Sequence, residues 1–144
     1  MLDIINVNKT FNKNTINEKK ALWGLNLHLN EGDFVTVIGG NGAGKSTMLN
    51  MIAGVYPIDS GKIVIDGVNI SRKPEYQRAK YIGRVFQDPM MGTAAGMEIQ
   101  ENMALAYRRG RKRGLSWGIK PSEKDFYRQA LEKSSLPYRN ANIL

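Results

Sequence analysis

A glycine-rich run that ends in a lysine and hydroxyl residues is the part of this sequence best suited to chemistry. Residues 39–47 read Gly-Gly-Asn-Gly-Ala-Gly-Lys-Ser-Thr and fit the spacing Gly-x-x-x-x-Gly-Lys-Ser. Glycines let the backbone curve tightly, so that successive N–H groups point inward and form a nest for phosphate oxygens. Lys45 supplies a positive charge for the β- and γ-phosphates, and the Ser46 hydroxyl can ligate Mg²⁺. The sequence therefore predicts a nucleotide phosphate site, a P-loop, whose residues are Gly39, Gly40, Asn41, Gly42, Ala43, Gly44, Lys45, Ser46 and Thr47.

Two flanking elements must position this loop. The apolar, β-branched run from Phe34 to Ile38 predicts a buried strand that leads into it. The run from Lys45 to Ala53 has apolar residues at helical spacing and is followed by Gly54, a residue suited to a helix C-terminus. Strand, glycine loop and helix in this order are the arrangement that a P-loop requires. The alternative, a glycine-rich turn between two core elements, would not need a lysine followed by a serine.

The rest of the chain alternates between strand and helix patterns. Strands are predicted at residues 2–7, 22–29, 62–65 and 81–87, with polar, turn-rich sequence over residues 8–20. Short or longer helices are predicted at residues 74–79, 99–107 and 123–133. The last of these follows Pro121, with Ser122 as its expected N-cap.

Composition sets outer limits on the fold and the site. A chain of 144 residues is long enough for one domain with a core and too short for two ordinary ones. It has no cysteine, which excludes disulfides and thiolate metal sites. The N-terminus lacks the basic and apolar regions of a signal peptide, and no stretch approaches the roughly 20 apolar residues of a membrane-spanning helix.

The net charge of +8 raises the question of anionic partners. Much of the excess lies in Arg108–Arg113, which holds five cations in six residues and precedes Trp117 and Ile119. A solvated loop is the first interpretation of such a run. Contact with anionic lipid or a membrane partner is the second, because apolar residues stand beside the charges. RNA binding ranks third, since no recognisable nucleic-acid module surrounds the run.

Taken together, the motifs resemble the N-terminal half of an ATP-binding-cassette (ABC) ATPase, the motor subunit of ABC transporters. The resemblance covers Leu2 to about Lys133 and rests on the P-loop and two further segments. The first segment is Asp59-Ser60-Gly61-Lys62-Ile63, with Asp66-Gly67 behind it; the second is Val85-Phe86-Gln87-Asp88-Pro89. The run from Gly83 to Thr93 also resembles a bacterial subgroup associated with tryptophan and tyrosine uptake.

This resemblance implies an α/β fold, with a P-loop NTPase core, an N-terminal antiparallel β-sheet and the start of a helical subdomain. The implied divisions are an ATP-binding core at residues 1–88, helical subdomain at 89–133 and an atypical tail at 134–144. ATP and Mg²⁺ are the implied cofactors. The implied partners are a transmembrane permease subunit and a second ATPase subunit, with nucleic acid ranked last. The implied location is cytoplasmic, peripheral on the inner face of the cell membrane.

The resemblance also assigns roles to individual residues. Gln87, 42 residues after Lys45, matches the family's Q-loop glutamine, which reaches the Mg²⁺ and the attacking water. It is therefore the implied catalytic residue and, with Ser46, an implied metal ligand. Phe11 falls where the family places an aromatic ring on adenine; the alternative is a phenylalanine that covers the sheet edge. By similarity, Thr47 would touch the α-phosphate.

Several of the family's catalytic parts are missing from this sequence. It contains no Leu-Ser-Gly-Gly-Gln type signature, no apolar strand that ends in Asp-Glu and no late histidine. His28 is expected on a strand surface, and Asp66 before Gly67 in a turn. The sequence thus indicates a truncated fragment, or a frameshifted end, that binds ATP but hydrolyses it very weakly. Without a neighbouring strand, Phe34–Ile38 would expose an edge, which predicts marginal stability or aggregation.

Three functions remain open at this level. The first is the ATP-binding part of an ABC transporter ATPase. The second is a non-hydrolysing fragment that contacts a permease or a membrane. The third is another P-loop enzyme, such as a small-molecule kinase, against which the Gln87-Asp88-Pro89 segment argues.

Overall fold

The computed structural model describes residues 1–110 and 118–133. The second half of the basic run, Arg111–Arg113, lies outside these ranges, as do Trp117 and the tail at residues 134–144, so what the sequence predicts for them stays a prediction. The chain divides into two compact units, Met1–Ile82 and a second one that begins at Gly83. Each unit is described by itself.

Four antiparallel strands form the sheet of the first unit. They are β1 (Leu2–Phe11), β2 (Lys19–Leu29), β3 (Ser60–Ile65) and β4 (Val68–Asn69), in the spatial order β2-β1-β3-β4. The predicted N-terminal antiparallel sheet is therefore confirmed. Both long strands extend further than expected, because Phe11 pairs with Lys19 at the far end of the β1–β2 ladder. Phe11 and Lys19 therefore lie within strands, whereas the sequence predicted turn-rich structure over residues 8–20.

One face of the sheet packs against helix α1 (Lys45–Ala53) to form the core. Met48 and Met51 of the helix join a buried cluster whose other members are Ile4, Val7, Ile63, Ile65 and Ile70. Along β3, alternation directs Ile63 and Ile65 to this face. In β1, Ile4 and Val7 both join the core although they are three residues apart, because the strand is irregular between them. Burial of each such side chain contributes about 1.5–3 kcal/mol, so the core fixes α1 on the sheet.

Two smaller expectations about the sheet are confirmed. Asp66 and Gly67 form the turn between β3 and β4, and the Asp66 carboxylate accepts a hydrogen bond from the N-terminal ammonium at 2.7 Å. His28 is an exposed residue of β2, and its Nδ1 lies 2.5 Å from Asp3 Oδ1 on β1. That contact with Asp3 raises the pKa of His28 above its ordinary value.

The expected strand at Phe34–Ile38 is not formed. The segment pairs with no strand among the described residues, and Phe34 and Ile38 are 95% and 88% exposed. The prediction of a buried strand was wrong because a strand needs a neighbour for its backbone groups and a covering layer for its side chains. The segment is exposed, as expected, but as an irregular stretch and not as the edge of a sheet.

The expected strand at Tyr81–Gln87 is absent for the same reason. Residues 82–86 are neither helix nor strand, and Val85 is almost fully exposed. Within the described ranges, the sheet contains only the four antiparallel strands. The residue types of this segment favour a strand, but no strand among the described residues pairs with it.

Short helical elements follow the sheet. Helix α2 (Glu75–Arg78) starts after Pro74, as predicted, and a 3-10 helix spans Pro89–Gly92. Helix α3 (Ile99–Tyr107) has the predicted bounds, and Glu98 and Glu101 form a capping box at its start. These two carboxylates therefore have a structural role.

Helix α4 spans Pro121–Lys133, two residues longer at its start than expected. Ser122 is inside the helix, so its assignment as the N-cap was wrong. Proline suits the first helical position because it has no N–H to satisfy there. The Glu123 carboxylate instead accepts the Lys120 N–H at 3.0 Å and contacts Arg108 at 2.7 Å. The Lys120 hydrogen bond and the Arg108 charge lower the pKa of Glu123.

None of the helices in residues 1–110 and 118–133 combines the length and the apolar character needed to cross a bilayer.

The exposed segment Phe34–Ile38 predicts self-association of the isolated chain. Replacing Phe34 by lysine removes an apolar side chain that the native unit does not bury. Because burial of such a side chain contributes about 1.5–3 kcal/mol, the Phe34→Lys variant should associate at least about tenfold more weakly. Sedimentation equilibrium over a concentration series measures this change.

Ile16→Lys is the matched control, since Ile16 is also fully exposed but lies in the β1–β2 connection. It should leave the association unchanged. A parent chain that stays monomeric and unfolds in one cooperative thermal transition would contradict the expectation.

Candidate functional site: the phosphate loop and its surroundings

The loop between residues 39 and 45 has the conformation that its glycines permit. Gly42 and Gly44 have φ angles of 82° and 88°, in the left-handed region, and helix α1 begins at Lys45. The Met48 N–H donates to the Gly44 carbonyl at 2.8 Å. The amides of Lys45, Ser46 and Thr47 precede this bond at the positive end of the helix, where N–H groups have no intrahelical acceptor. The first turn of α1 contains no acidic residue, so its field favours an anion.

Gly44 also lies close to strand β2 of the sheet. A Cβ placed there would lie 2.7 Å from the Ala21 carbonyl oxygen and 2.9 Å from Leu22 Cδ2, both on β2. Any side chain at this position would therefore push the loop off the strand, in addition to the strain of its positive φ.

Lys45 is held by the loop from which it extends. Its ammonium donates to the carbonyl oxygens of Gly39 at 2.5 Å and Gly40 at 2.8 Å. An ammonium carries three N–H donors, so this geometry keeps the charge over the loop and uses two of them. The structure thus brings all nine predicted loop residues into one short, curved segment.

The loop and the ends of β1 and β2 enclose a depression of about 270 Å³. The residues that line it are Phe11, Lys19, Ala21, Asn41, Gly42, Ala43, Gly44, Lys45, Ser46 and Thr47. None of these lining residues is acidic. The lining of the depression therefore includes backbone amides, the hydroxyl groups at the start of α1, two lysines and an aromatic ring. These are the groups that phosphates and a base require.

Phe11 is fixed by aromatic and cationic neighbours. Its ring meets Tyr56 edge to face, with centroids 5.3 Å apart, and the Lys9 ammonium lies 5.2 Å from its centroid. Such contacts each contribute about 0.5–1.5 kcal/mol. The ring is partly buried, at the last position of β1.

Asp59 ties the end of β1 to the segment after α1. Its carboxylate accepts the Thr10 N–H at 2.6 Å and forms ion pairs with Lys13 at 3.1 Å and with the buried Lys9 at 3.7 Å. Burial alone would raise the pKa of Asp59, but the Thr10 hydrogen bond and the two lysines outweigh it and lower that pKa. This arrangement fixes the backbone next to Phe11.

The other end of α1 is anchored by a buried arginine. Gly54 ends the helix with a φ of 90°, and a Cβ there would lie 2.8 Å from Arg78 Nε. The Arg78 guanidinium, only 2% exposed, donates to the carbonyls of Met51 at 2.7 Å and Ile52 at 3.0 Å. It therefore adds a charged donor to carbonyls of the last helical turn, at the negative end of the helix dipole. The Met51 carbonyl also accepts the Gly54 N–H, at 3.2 Å.

The same guanidinium also joins α1 to the chain that follows β4. It donates to the Lys73 carbonyl at 2.6 Å and to the Ser71 carbonyl at 3.0 Å. Burial lowers the pKa of Arg78, yet an arginine stays protonated in proteins, so the charge at the helix end persists.

The Ser46 hydroxyl, which lines this depression, is the oxygen that the P-loop pattern assigns to Mg²⁺. No group of three or more His, Asp or Glu residues that could hold a metal occurs in the described ranges. Mg²⁺ fits such a site because it is commonly held by one or two protein oxygens, phosphate oxygens and water. Ser46 at the start of α1 is compatible with that mode of binding.

Gln87 is not among the residues that line the depression. It belongs to the second unit, where it is exposed and precedes Asp88, whose carboxylate accepts the Met90 N–H at 2.9 Å. The structure therefore brings together the loop and Phe11, while the catalytic and metal-binding roles of Gln87 stay predictions.

Sequence comparison places these features in a known family. The family model described as ABC transporter matches residues 22–144, which is most of the chain. This chain belongs to the ABC transporter family. The match includes residues 134–144, which the sequence analysis set apart as a tail.

Named relatives agree with this assignment. The tyrosine transport ATP-binding protein of Clostridioides difficile is 41% identical over 112 residues, 77% of this chain and 44% of that protein. The energy-coupling factor transporter ATP-binding protein EcfA2 of Thermotoga maritima is 40% identical over 88 residues, 61% of this chain and 32% of that protein. The resemblance to the tyrosine-type subgroup is thus supported by the first of these ABC relatives.

A solved structure shows the same fold. The dimeric ATP-binding cassette MJ0796, in a post-hydrolysis state bound to ADP and Pi, superposes with a TM-score of 0.76 at 28% identity. The alignment covers 99% of this chain and 60% of that one. The ABC cassette fold is therefore confirmed, and this chain spans less than half the length of the two named relatives.

Sequence reasoning missed three contributors to the site. The sequence analysis gave no role to Lys19 or Arg78, which both lie in short polar stretches. It named Asp59 only as part of a segment that carries the family resemblance. Two features of the tertiary structure bring these residues to the site. The strand register places Lys19 beside Phe11, and packing buries Arg78. A local signal existed only for Arg78, which ends a short helical pattern after Pro74.

Replacing Arg78 by glutamine should destabilise the first unit. The change leaves buried carbonyls at the end of α1 without their charged donor, and such losses cost about 3 kcal/mol. Denaturant unfolding should show a lower midpoint with little change in slope. Arg72→Gln is the control, because Arg72 is exposed and close in sequence. Equal midpoints for the two variants would contradict the proposed anchor.

Proposed function

We propose that this chain is the ATP-binding part of an ABC transporter ATPase subunit. The observation that supports this most directly is the left-handed Gly44 followed by Lys45 at the start of α1, beside a depression with an aromatic wall. The relatives of the same family are named ATP-binding proteins, which points to the same ligand.

In this proposal each part of the depression takes one part of the nucleotide. The amides of the curved loop and of the first turn of α1 bind the phosphate oxygens, and Lys45 neutralises the β- and γ-phosphates. Thr47 lies one residue beyond the metal-binding Ser46 and faces the α-phosphate. Phe11 stacks on adenine, because stacking needs only an aromatic face.

Mg²⁺ would be held by Ser46 and by Gln87, with phosphate oxygens and water completing its shell. Bound there, the ion supplies charge stabilisation to the phosphoryl group that is transferred. Gln87 orients the attacking water in this scheme. A general-base carboxylate typically contributes about 10²–10⁴-fold to such a step, and none of the described acidic residues lines the depression. The 144-residue chain should therefore hydrolyse ATP very weakly.

The whole protein would use ATP to power transport. Two ATPase subunits would close around nucleotide and act on a transmembrane permease, at the cytoplasmic face of the membrane. A dimeric ATP-binding cassette among the structural relatives supports the pairing of two subunits. An aromatic amino acid is the first transported molecule to test, because the 41% identical relative is named for tyrosine transport.

The second unit offers a surface for the permease. A depression of about 840 Å³ is lined by the apolar residues Met90, Met97, Ile99 and Met103, together with small residues around Ala94–Gly96. Methionine side chains adapt to varied apolar partners. We assign this surface to a permease segment, consistent with the transporter names of the relatives.

Lys45→Ala should abolish most ATP binding by this chain. The variant removes the charge over the loop but leaves its glycines, and charge-assisted hydrogen bonds contribute about 1.5–3 kcal/mol each. We expect Kd for Mg²⁺–ATP to rise at least about 100-fold in calorimetry.

Lys62→Ala is the control for the loss of a positive charge, because Lys62 is exposed on β3. It should bind as the parent does. An absence of binding in the parent, or equal binding by parent and Lys45→Ala, would refute the proposed function.

Phe11→Ala should weaken ATP binding without affecting inorganic triphosphate. Loss of stacking on one base costs about 1–3 kcal/mol, so Kd for ATP should rise about tenfold, while Kd for triphosphate should stay constant. Phe11→Tyr keeps the aromatic face and should bind ATP normally. A similar loss of both ligands in Phe11→Ala would show that the ring supports the fold and does not contact the base.

A further inference from the structure

A second lysine reaches the phosphate loop from the sheet. Lys19, the first residue of β2, lines the depression, and its Nζ is 3.7 Å from the point that a Cβ on Gly42 would occupy. Gly42 is in the curved part of the loop, with a φ of 82°. The 3.7 Å separation is an ordinary van der Waals distance, so the Lys19 ammonium lies beside the loop at Gly42.

The strand register determines where this ammonium stands. Lys19 pairs with Phe11 across the β1–β2 ladder. Its backbone is thus level with the aromatic ring, while its long side chain extends to the loop at Gly42. Lys19 therefore spans the depression from the ring to the phosphate loop.

The neighbouring charges do not neutralise Lys19 within the described residues. The adjacent Glu18 directs its carboxylate to the Asn14 N–H at 3.0 Å. Lys20, one residue further on the strand, points elsewhere, with its ammonium 4.8 Å from the centre of the Trp23 ring. Successive strand residues face opposite sides of the sheet, which explains why only one of these two lysines reaches the loop.

We propose that Lys19 is a second phosphate-binding cation of this site. Its ammonium contacts the polyphosphate from the side of the loop at Gly42. This inference rests on the proposed function, since it concerns the same nucleoside polyphosphate. Lys45 binds the phosphates from the part of the loop at Gly39 and Gly40, to whose carbonyls its ammonium donates. Lys19 adds affinity for the phosphate chain that is independent of the base.

Lys19 is exposed, and this determines how much it contributes to the affinity for the polyphosphate and how that contribution depends on salt. An exposed ammonium interacts with phosphate through partly screened charges, and the Debye length falls from about 10 Å at 0.1 M salt to about 3 Å at 1 M. The contribution of Lys19 should accordingly shrink as salt increases.

The test compares Lys19→Gln with Lys20→Gln, two adjacent substitutions with the same change of charge. Binding of Mg²⁺–ATP and of inorganic triphosphate is measured by calorimetry at 0.1 M and 1 M NaCl. We expect Lys19→Gln to raise Kd for both ligands about fivefold at low salt and less than twofold at high salt. Lys20→Gln should change Kd less than twofold, and Lys19→Arg should bind as the parent does.

The outcomes separate this inference from the proposed function. If the parent shows no Lys45-dependent binding, the proposed function fails. If the parent binds through Lys45 but the Lys19 and Lys20 variants agree within twofold, the role of Lys19 is refuted. A Lys19→Gln variant that loses affinity for ATP but not for triphosphate also refutes it. Should that variant unfold, Lys19→Thr, which retains β propensity, gives the same comparison.

Discussion

The contact between Gly44 and strand β2 is the constraint on which the site depends. The loop passes so close to the sheet that a single added carbon would meet the Ala21 carbonyl oxygen at 2.7 Å. Only glycine combines this approach with a φ of 88°. Because of it, the loop, the start of α1 and the ends of β1 and β2 share one depression. Phosphate-binding groups and an aromatic ring thus come together although they are far apart in sequence.

Helix α1 carries the site, and both of its ends are fixed by a glycine in the left-handed region. At its N-terminus Gly44 places the amides toward the depression, and at its C-terminus Gly54 leaves space for Arg78. The buried guanidinium compensates the negative end of the helix, while the anion-binding end remains open to a ligand. Between the two ends, Met48 and Met51 pack on the sheet. The orientation of the phosphate-binding amides therefore depends on core packing and on one buried cation.

The structure also shows how a polar network supports an aromatic contact. Asp59 forms ion pairs with Lys9 and Lys13 near the end of β1, and Tyr56 meets the ring of Phe11. Tyr56 and Asp59 belong to the segment after α1, so these contacts tie that segment to the end of β1. A ring held in this way loses little side-chain entropy on binding a base.

The sequence by itself determined the loop, the helix after it and the later helices, because these follow from local spacing and from glycine and proline chemistry. The antiparallel sheet was implied by the resemblance to the ABC family. The sequence also indicated the ABC family, since the loop and the Gln87 segment are local motifs. It could not decide whether Phe34–Ile38 and Tyr81–Gln87 become strands, because strand formation requires a partner that local sequence does not supply. Lys19 opposite Phe11, and Arg78 beneath α1, were likewise fixed only by tertiary structure, since ladder register and burial arise from contacts between distant segments.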